Sequence, residues 1–390
     1  METDKLKQIE HDHIMQTYTR FDVIIDYGKG CYVYDVNGKE YLDFLGGIAT
    51  CTVGHGNKKV AEAICAQAKK LLNITNLYYT EPQVVLAKKL SDLSGLKKCF
   101  FCNSGTEANE AAIKLAKKIT GKKQFIAFEH SFHGRTTGSL AATWKVNYKE
   151  PFTPLAPDVI FVKYNNIKAL ENALTNDIAA VIIEPIQGEA GIIVPDKGYL
   201  KAVELLCKKN NILLIVDEVQ SGNGRTGSFF AYLHDGVIPD IVTLSKGLAN
   251  GVPIGVCIAK AGIDFEKGDH ASTFGGNSLA CAAANATVDY IIDNKLMDNT
   301  QKVGDYFIET LNNLNNPLIK KVKGKGLMIG VKLTDDKAKD IVYRCFDKGL
   351  LLNNAADDVL RFLPPLIITK ADVDKAVAIL DSVLKETLSF

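Results

Sequence analysis

Residues 212–220, ILLIVDEVQ, indicate the fold class. An apolar run ends in Asp217-Glu218, which is typical of a strand that is buried on both faces of a parallel sheet. Ligands of such sheets bind beyond the carboxyl ends of the strands, where Asp217 would lie. The alternative is a surface carboxylate that follows a strand and has no role in binding.

Short apolar runs alternate with helical patterns on both sides of this segment. Strands are predicted at residues 97–102, 124–128, 159–162, 179–183 and 241–244, and helices near 106–119, 167–174 and 198–210. This alternation predicts an α/β fold, with a mostly parallel sheet that carries helices on both faces.

The two ends of the chain follow another pattern. Residues 32–44 alternate in hydrophobicity around Asn37-Gly38, which is a strong hairpin signal. After about residue 285 the pattern predicts a helix, two short strands, a helix, a strand and a helix. We therefore predict a large domain at 55–284, and a smaller α+β domain that combines residues 1–54 with 285–390.

The composition argues against several classes of protein. The 390 residues include 46 basic and 45 acidic side chains, so the net charge of +1 does not suggest nucleic-acid binding through a broad basic surface. No stretch approaches about 18 consecutive apolar residues, so we expect no membrane span. Nine scattered cysteines and a charged N-terminus without a signal-peptide pattern predict a reduced, cytoplasmic protein. The single Cys99-x-x-Cys102 pair fits buried core cysteines better than a redox pair, and no second ligand pair for zinc is suitably spaced. His11-Asp12-His13 fits a solvated N-terminal helix better than a metal site, so no metal is expected.

The strand at 241–244 runs into Ser245-Lys246-Gly247 and places a lysine at the sheet edge predicted for Asp217. A lysine can condense with an aldehyde cofactor, and a carboxylate can keep a pyridine nitrogen protonated. The two side chains together fit the chemistry of pyridoxal phosphate. A lysine in this position, taken alone, is more often simply solvated.

Two loops offer further binding groups. Ser104, Gly105 and Thr106 join a strand to a helix whose first N–H groups and dipole can hold a phosphate. The same residues also fit an ordinary helix cap. In residues 131–135, SFHGR, Phe132 can stack on a flat ring and Arg135 can bind a carboxylate, or both can simply pack the loop.

Residues 222–227, GNGRTG, match the dinucleotide-binding pattern G-x-G-x-x-G. That fingerprint requires a tight turn from a strand into a helix and an acidic residue about 20 positions further on. Here four residues separate Asp217 from Gly222, the segment that follows is a poor helix, and Asp240 comes too early. A nicotinamide-dependent dehydrogenase is therefore disfavoured.

Eight motifs, in the same order, resemble the class-III, pyridoxal-phosphate-dependent aminotransferases over nearly the whole chain. They are SGTEANE (104–110), SFHGR (131–135), EPIQGEAG (184–191), IVDEVQSG (215–222), GRTG (224–227), LSKG (244–247), STFGGN (272–277) and LRFLPP (360–365). Within the family, NLYYTEPQ (76–83) is similar to the branch that uses N2-acetylornithine. A relative that only binds the cofactor would be expected to lack Lys246 or Asp217, and both are present.

The resemblance implies a fold type I architecture and a homodimer whose active sites lie between the subunits. It implies that Lys246 binds the cofactor aldehyde, that Asp217 pairs with the ring nitrogen, and that Thr273 of the partner subunit contacts the phosphate. The other implied cofactor-binding residues are Ser104, Gly105, Thr106, Phe132, Glu218, Val219 and Gln220. The implied substrate-binding residues are Arg135, Glu184, Glu189, Ser272 and Arg361. Glu189 is expected to pair with an arginine while the amino donor is bound.

The implied reaction is transamination of N2-acetylornithine with 2-oxoglutarate, which gives N-acetylglutamate 5-semialdehyde and glutamate in arginine biosynthesis. Ornithine, succinylornithine, succinyl-diaminopimelate and 4-aminobutyrate are the alternative amino donors. The sequence departs from the family pattern at Gly56-Asn57 and at Leu248-Ala249-Asn250. Both departures lie beside the expected site, so they bear on substrate preference rather than on the cofactor.

Overall fold

The computed structural model describes residues 3–388. Its α-helices are α1 (Thr3–His13), α2 (Gly46–Ala49), α3 (Lys58–Lys70), α4 (Glu81–Ser94), α5 (Gly105–Thr120), α6 (Thr137–Ala141), α7 (Val146–Lys149), α8 (Ile167–Ala173), α9 (Tyr199–Lys209), α10 (Ser278–Asp293), α11 (Leu296–Asn312), α12 (Ala338–Asp347) and α13 (Lys370–Leu388). Its strands are β1 (Ile25–Lys29), β2 (Tyr32–Asp35), β3 (Glu40–Asp43), β4 (Lys98–Cys102), β5 (Gln124–Phe128), β6 (Asp158–Val162), β7 (Ile178–Ile183), β8 (Leu213–Asp217), β9 (Ile241–Leu244), β10 (Gly255–Ala259), β11 (Ile319–Lys325), β12 (Met328–Leu333), β13 (Leu350–Leu351), β14 (Asn353–Ala356) and β15 (Val359–Phe362). Short 3-10 helices lie at Glu150–Phe152, Ala231–Asp235 and Lys246–Ala249.

The central sheet confirms the predicted α/β fold. Its strand order in the described chain is β4-β10-β9-β8-β7-β5-β6. The run from β9 to β6 is parallel. Strand β10, which the sequence analysis does not predict, lies antiparallel between β4 and β9. The sheet is therefore mostly parallel and becomes mixed at one edge.

Both faces of this sheet are covered, because alternate side chains of each strand point to opposite sides. In β7, Val181 and Ile183 belong to the main hydrophobic core, together with residues of α9 and α10. Ala180 and Ile182 instead join a second core, which contains the apolar face of α5. Every residue of β7 is buried, which explains its unbroken apolar sequence.

The ends of the chain form two smaller sheets, and the first of these combines strands from both ends. The predicted hairpin is present as β2 and β3, and β13 from the C-terminal part pairs parallel with β3. The second sheet is antiparallel, in the order β11-β12-β15-β14. The division at 54/55 and 284/285 stays a prediction, and α10 runs across the second of these positions.

No helix within residues 3–388 is both long enough and apolar enough to cross a membrane.

Candidate active site

The carboxyl ends of β8 and β9 open into a cavity of about 280 Å³. Asp217 is the last residue of β8, and Lys246 lies two positions after β9. The cavity is lined by Ser104, Gly105, Thr106, Asn109, Phe132, His133, Gly134, Arg135, Glu184, Glu189, Asp217, Val219, Gln220, Ser245 and Lys246. The structure thus brings together most of the side chains that the sequence analysis selects.

A network of hydrogen bonds fixes the Asp217 carboxylate. Its Oδ2 accepts from Asn109 Nδ2 and lies 2.8 Å from His133 Nδ1, while Oδ1 accepts from the Val219 N–H at 3.0 Å. Asn109 is fixed in turn, because its Oδ1 accepts from the Thr243 hydroxyl at 2.7 Å. Asp217 is only 4% exposed, so the network holds a buried carboxylate in one orientation.

The sequence analysis assigns no role to Asn109 or His133, although signals for both exist. Asn109 lies four residues after Gly105, so the helical repeat of α5 puts the two on the same face. His133 stands next to Phe132 in the quoted SFHGR motif. Its contact with Asp217 arises only from the folding of the loop that follows β5.

Lys246 begins a 3-10 helix with a backbone φ of 39°, which is the left-handed region that a side chain disfavours. Burial lowers the pKa of the Lys246 amine, while the Glu189 and Asp217 carboxylates act in the opposite direction. A lowered pKa increases the share of neutral amine, which is the form that attacks an aldehyde and accepts a proton.

The N-terminus of α5 forms a close-fitting cradle. A Cβ atom on Gly105 would lie 2.6 Å from Val219 Cγ1, so only glycine lets the main chain approach this closely. Ser104 caps the helix, since its Oγ accepts from the Glu107 N–H at 3.3 Å. The Thr106 hydroxyl accepts from the Arg135 N–H at 3.2 Å and lies 2.5 Å from Ser139 Oγ.

Two groups from the loop after β5 lie at the mouth of the cavity. The Phe132 ring lines it, and the Phe132 N–H donates to Glu184 Oε2 at 3.0 Å. The Arg135 guanidinium is exposed and stacks on Tyr148, with 3.5 Å between its central carbon and the ring centre. This cation–π contact holds a cation where a substrate carboxylate can reach it.

Glu189 lines the cavity and forms an ion pair with Arg361, which is buried and does not itself line the cavity. Arg361 Nη1 donates to Glu189 Oε1 at 2.5 Å and to the Gly188 carbonyl at 3.2 Å, and Nε donates to Asn353 Oδ1 at 3.1 Å. Burial raises the pKa of Glu189, but Arg361 outweighs this effect and holds that pKa below its usual value. Gln220 Nε2 donates to the same Oε1 at 3.4 Å.

The other two candidate carboxyl groups differ in position. Glu184 lines the cavity, and burial raises its pKa to about 7. The structure does not bring Glu218 to the cavity, because successive side chains of an extended chain alternate in direction and Asp217 takes the inward one. The Glu218 carboxylate accepts from the Ser221 hydroxyl at 2.6 Å and from the Tyr232 N–H at 2.8 Å.

Ser272 and Thr273 do not line this cavity either. The Ser272 Oγ accepts from the Gly275 N–H at 3.0 Å, and Thr273 is exposed beside Phe274, which is itself 61% exposed. Their predicted contacts with the cofactor phosphate and the substrate require the partner subunit, and these contacts stay a prediction.

The residues present fit pyridoxal phosphate. They supply an amine of lowered pKa, a fixed buried carboxylate, an aromatic ring and a helix N-terminus with a glycine cradle. These groups match the aldehyde, ring nitrogen, ring face and phosphate of that cofactor. Within residues 3–388, no group of three or more His, Cys, Asp or Glu side chains could hold a metal ion.

The fold and this site together define an aminotransferase. The chain belongs to the class-III aminotransferases, whose family model matches residues 14–384, and the resemblance stated from its motifs is thereby confirmed.

Relatives of nearly the same length carry the name of one particular activity. The acetylornithine aminotransferase of Archaeoglobus fulgidus is 49% identical over 373 residues, which cover 95% of this chain and 98% of that protein. The acetylornithine aminotransferase of Methanocaldococcus jannaschii is 50% identical over 388 residues, which cover 97% of each.

Solved structures agree with the fold. The acetylornithine aminotransferase of Elizabethkingia anophelis has a TM-score of 0.88 at 34% identity and covers 99% of this chain and all of that one. An ornithine aminotransferase of Toxoplasma gondii has a TM-score of 0.94 at 33% identity and covers 98% of this chain and 94% of that one. It has partial occupancy of pyridoxal phosphate at its active site. The fold type I architecture is thus confirmed.

Proposed function

We propose that this aminotransferase moves the terminal amino group of N2-acetylornithine to 2-oxoglutarate in arginine biosynthesis, with pyridoxal 5'-phosphate as cofactor. The products are N-acetylglutamate 5-semialdehyde and glutamate. The choice of donor is supported by the near full-length similarity to acetylornithine aminotransferases at 45% to 50% identity. The observation that carries the chemistry is that the Lys246 amine and the Asp217 carboxylate line one cavity.

Each side chain has a distinct task in this proposal. When bound, the cofactor supplies an aldehyde that condenses with amines and a ring that accepts electrons from the substrate carbon. The negative charge of Asp217 keeps a proton on the ring nitrogen. Asn109 and His133 hold the carboxylate in the orientation that this requires. Lys246 moves a proton at the substrate carbon, a step typically worth about 10² to 10⁴ in rate. Phe132 excludes water from one face of the ring.

The two substrates differ in charge, and two arginines match that difference. N2-acetylornithine has one carboxylate and 2-oxoglutarate has two. Arg135 lies exposed at the mouth, where it can hold the carboxylate that both share. Arg361 is buried and paired with Glu189, so the second carboxylate of 2-oxoglutarate would replace Glu189 as its partner.

We also infer a homodimer that shares its active sites. A strongly exposed apolar surface comprises Leu77 (85% exposed), Tyr78 (62%), Tyr79 (98%) and Phe274 (61%). An isolated subunit rarely exposes such a patch, and Thr273 stands next to Phe274. A cytoplasmic location is supported by the nine free cysteines, since oxidising compartments favour disulfides.

A panel of amino donors with 2-oxoglutarate, followed by glutamate formation, tests the proposed reaction. We expect the highest kcat/KM with N2-acetylornithine. The alternative donors are ornithine, succinylornithine, succinyl-diaminopimelate and 4-aminobutyrate. A higher kcat/KM with any of these would replace the proposed donor, while no transamination of any donor would refute the reaction itself.

A further inference from the structure

The loop at 222–227, GNGRTG, contains a buried arginine to which the proposed reaction gives no task. Arg225 is 2% exposed, and burial lowers its pKa to about 9. In the described part of the chain its guanidinium donates only to main-chain carbonyls, and Nη2 has no partner there. Burying a cation without a carboxylate costs free energy, so its contacts indicate what the residue does.

Those contacts join the two strands that position Arg361. Arg225 Nη1 donates to the Leu327 carbonyl at 3.1 Å and to the Pro364 carbonyl. Leu327 directly precedes β12, and Pro364 lies two residues beyond the end of β15. Arg225 therefore links two carbonyls that lie just outside the paired residues of β12 and β15.

The same loop also holds the main chain beside Lys246. Asn223, which is 2% exposed, donates from Nδ2 to the Ser245 carbonyl at 3.0 Å. The next residue is Lys246, whose backbone has the disfavoured φ of 39°. Such a conformation persists only where surrounding contacts impose it, and the bond from Asn223 is one of them.

Close packing and a tight turn fix the course of the loop on both sides of Asn223. A Cβ atom on Gly222 would lie 2.5 Å from Leu244 Cδ1, and Gly224 has a φ of 85°. One residue separates Asn223 from Arg225. The loop thus presents Asn223 to the backbone beside Lys246 and Arg225 to the ends of β12 and β15, as two separate anchors.

We propose that Asn223 and Arg225 are positioning residues with separate tasks: Asn223 holds the backbone at Lys246, and Arg225 holds the strands that position Arg361. The inference rests on the proposed function, in which Arg361 binds the second carboxylate of 2-oxoglutarate. Arg225 acts through the strands that hold Arg361, so it affects dicarboxylates selectively. Asn223 acts through the backbone at Lys246, so it affects both half-reactions alike.

The test compares binding of glutarate and pentanoate to the holoenzyme by calorimetry, because these acids differ in the second carboxylate. Wild type should prefer glutarate. Arg225→Met should weaken glutarate binding about tenfold and leave pentanoate binding unchanged, since small displacements of a binding group cost one to two orders of magnitude. Asn223→Ala should leave the glutarate preference intact and slow both half-reactions by one common factor.

Asn285→Ala is the matched control. Asn285 also donates from Nδ2 to a single carbonyl, that of Pro82 at 2.8 Å, and its Oδ1 is likewise buried without a partner in the described chain. It does not line the cavity, so it should change neither the glutarate preference nor the half-reactions.

If Arg225→Met does not fold, Arg225→Lys tests the same selective effect on glutarate binding. A lysine ammonium does not reproduce the guanidinium fork, so glutarate binding should weaken about threefold with pentanoate unchanged. Equal losses for both acids, or an unchanged preference in the folded Arg225 variant, would overturn the inference. If the wild-type holoenzyme does not bind glutarate more tightly than pentanoate, the proposed acceptor site is overturned together with this inference. That result is obtained before any loop variant is made, so the two failures can be told apart.

Discussion

Replacing Glu189 by glutamine should affect the two half-reactions in opposite directions. Glu189 pairs with Arg361, whose other acceptors within residues 3–388 are the Gly188 carbonyl and the Asn353 side-chain oxygen. While N2-acetylornithine is bound, this pair neutralises the buried guanidinium. In the proposed reaction, the second carboxylate of 2-oxoglutarate or glutamate displaces Glu189, and glutamine would be easier to displace because it has no charge.

The size of the effect follows from the exposure of the pair. Breaking a fully buried ion pair costs about 3 to 5 kcal/mol, whereas an exposed pair contributes about 1 kcal/mol or less. Here the Arg361 side chain is 2% exposed and that of Glu189 is 36% exposed. An intermediate value of about 2 kcal/mol corresponds to a factor of about 30 in affinity.

Single-turnover spectra of the holoenzyme with each substrate measure the two half-reactions separately. Glu189→Gln should strengthen glutamate binding by up to about 30-fold and slow the reaction with N2-acetylornithine. Arg361→Met should do the reverse and damage mainly the glutamate half-reaction.

Asp358→Asn is the control for the loss of one negative charge. Asp358 lies 2.6 Å from Lys332 Nζ and lines the adjoining cavity rather than the one that contains Lys246. It should alter both half-reactions by the same small factor. If Glu189→Gln and Arg361→Met each reduce both half-reactions equally, the pair is a static support and the reasoning is refuted.

Four further predictions address the remaining groups of the site. Lys246→Ala should abolish turnover, and borohydride should no longer fix the cofactor to the protein; near-normal turnover would remove Lys246 from the mechanism. Asp217→Asn keeps the hydrogen-bonding shape but not the charge, so steady-state kcat should fall by orders of magnitude while much of the cofactor is retained; an unchanged kcat would make the carboxylate structural. Mixing the Lys246→Ala and Thr273→Ala proteins should restore some activity, because one site of each hybrid dimer is then intact; hybrids shown to form without recovery would contradict a shared site. Glu184→Gln should make the slope of the unfolding free energy against pH less negative between about 4.5 and 7, because a carboxyl whose pKa is raised by folding destabilises the folded state increasingly as pH rises through that window. Urea unfolding at several pH values measures this slope, and equal slopes for both proteins would contradict it.

Local sequence was sufficient for the elements that lie in the middle of the parallel sheet. The predicted strands at 124–128 and 241–244 match β5 and β9 residue for residue, because buried parallel strands need unbroken apolar runs. Strand β10 is not predicted, because no helix follows Gly255–Ala259 until α10 and the alternation of strands and helices is interrupted there. Its place between β4 and β9 depends on long-range pairing that no local pattern encodes.

The candidate site likewise contains residues that local sequence predicts and residues that it does not. Asp217 and Lys246 were predictable because both follow strands whose ends meet at one edge of the sheet. The partners of Asp217 were not, because Asn109 comes from α5 and His133 from a loop after another strand. Glu218 is the reverse case, because it is predicted at the cavity and does not line it. Its position next to Asp217 suggested a role at the cavity, but the alternation of side chains directs it to Ser221.

The glycine pattern at 222–227 shows why spacing alone does not define a phosphate site. A dinucleotide fingerprint works because its main-chain N–H groups are free to bind a pyrophosphate at the start of a helix. Here the N–H groups of Gly224, Arg225 and Gly227 donate to carbonyls within residues 222–229, and the next element is the 3-10 helix Ala231–Asp235. The glycines serve close packing instead. The N-terminus of α5 provides the helix start that an anion requires, in the cavity that also contains Lys246 and Asp217.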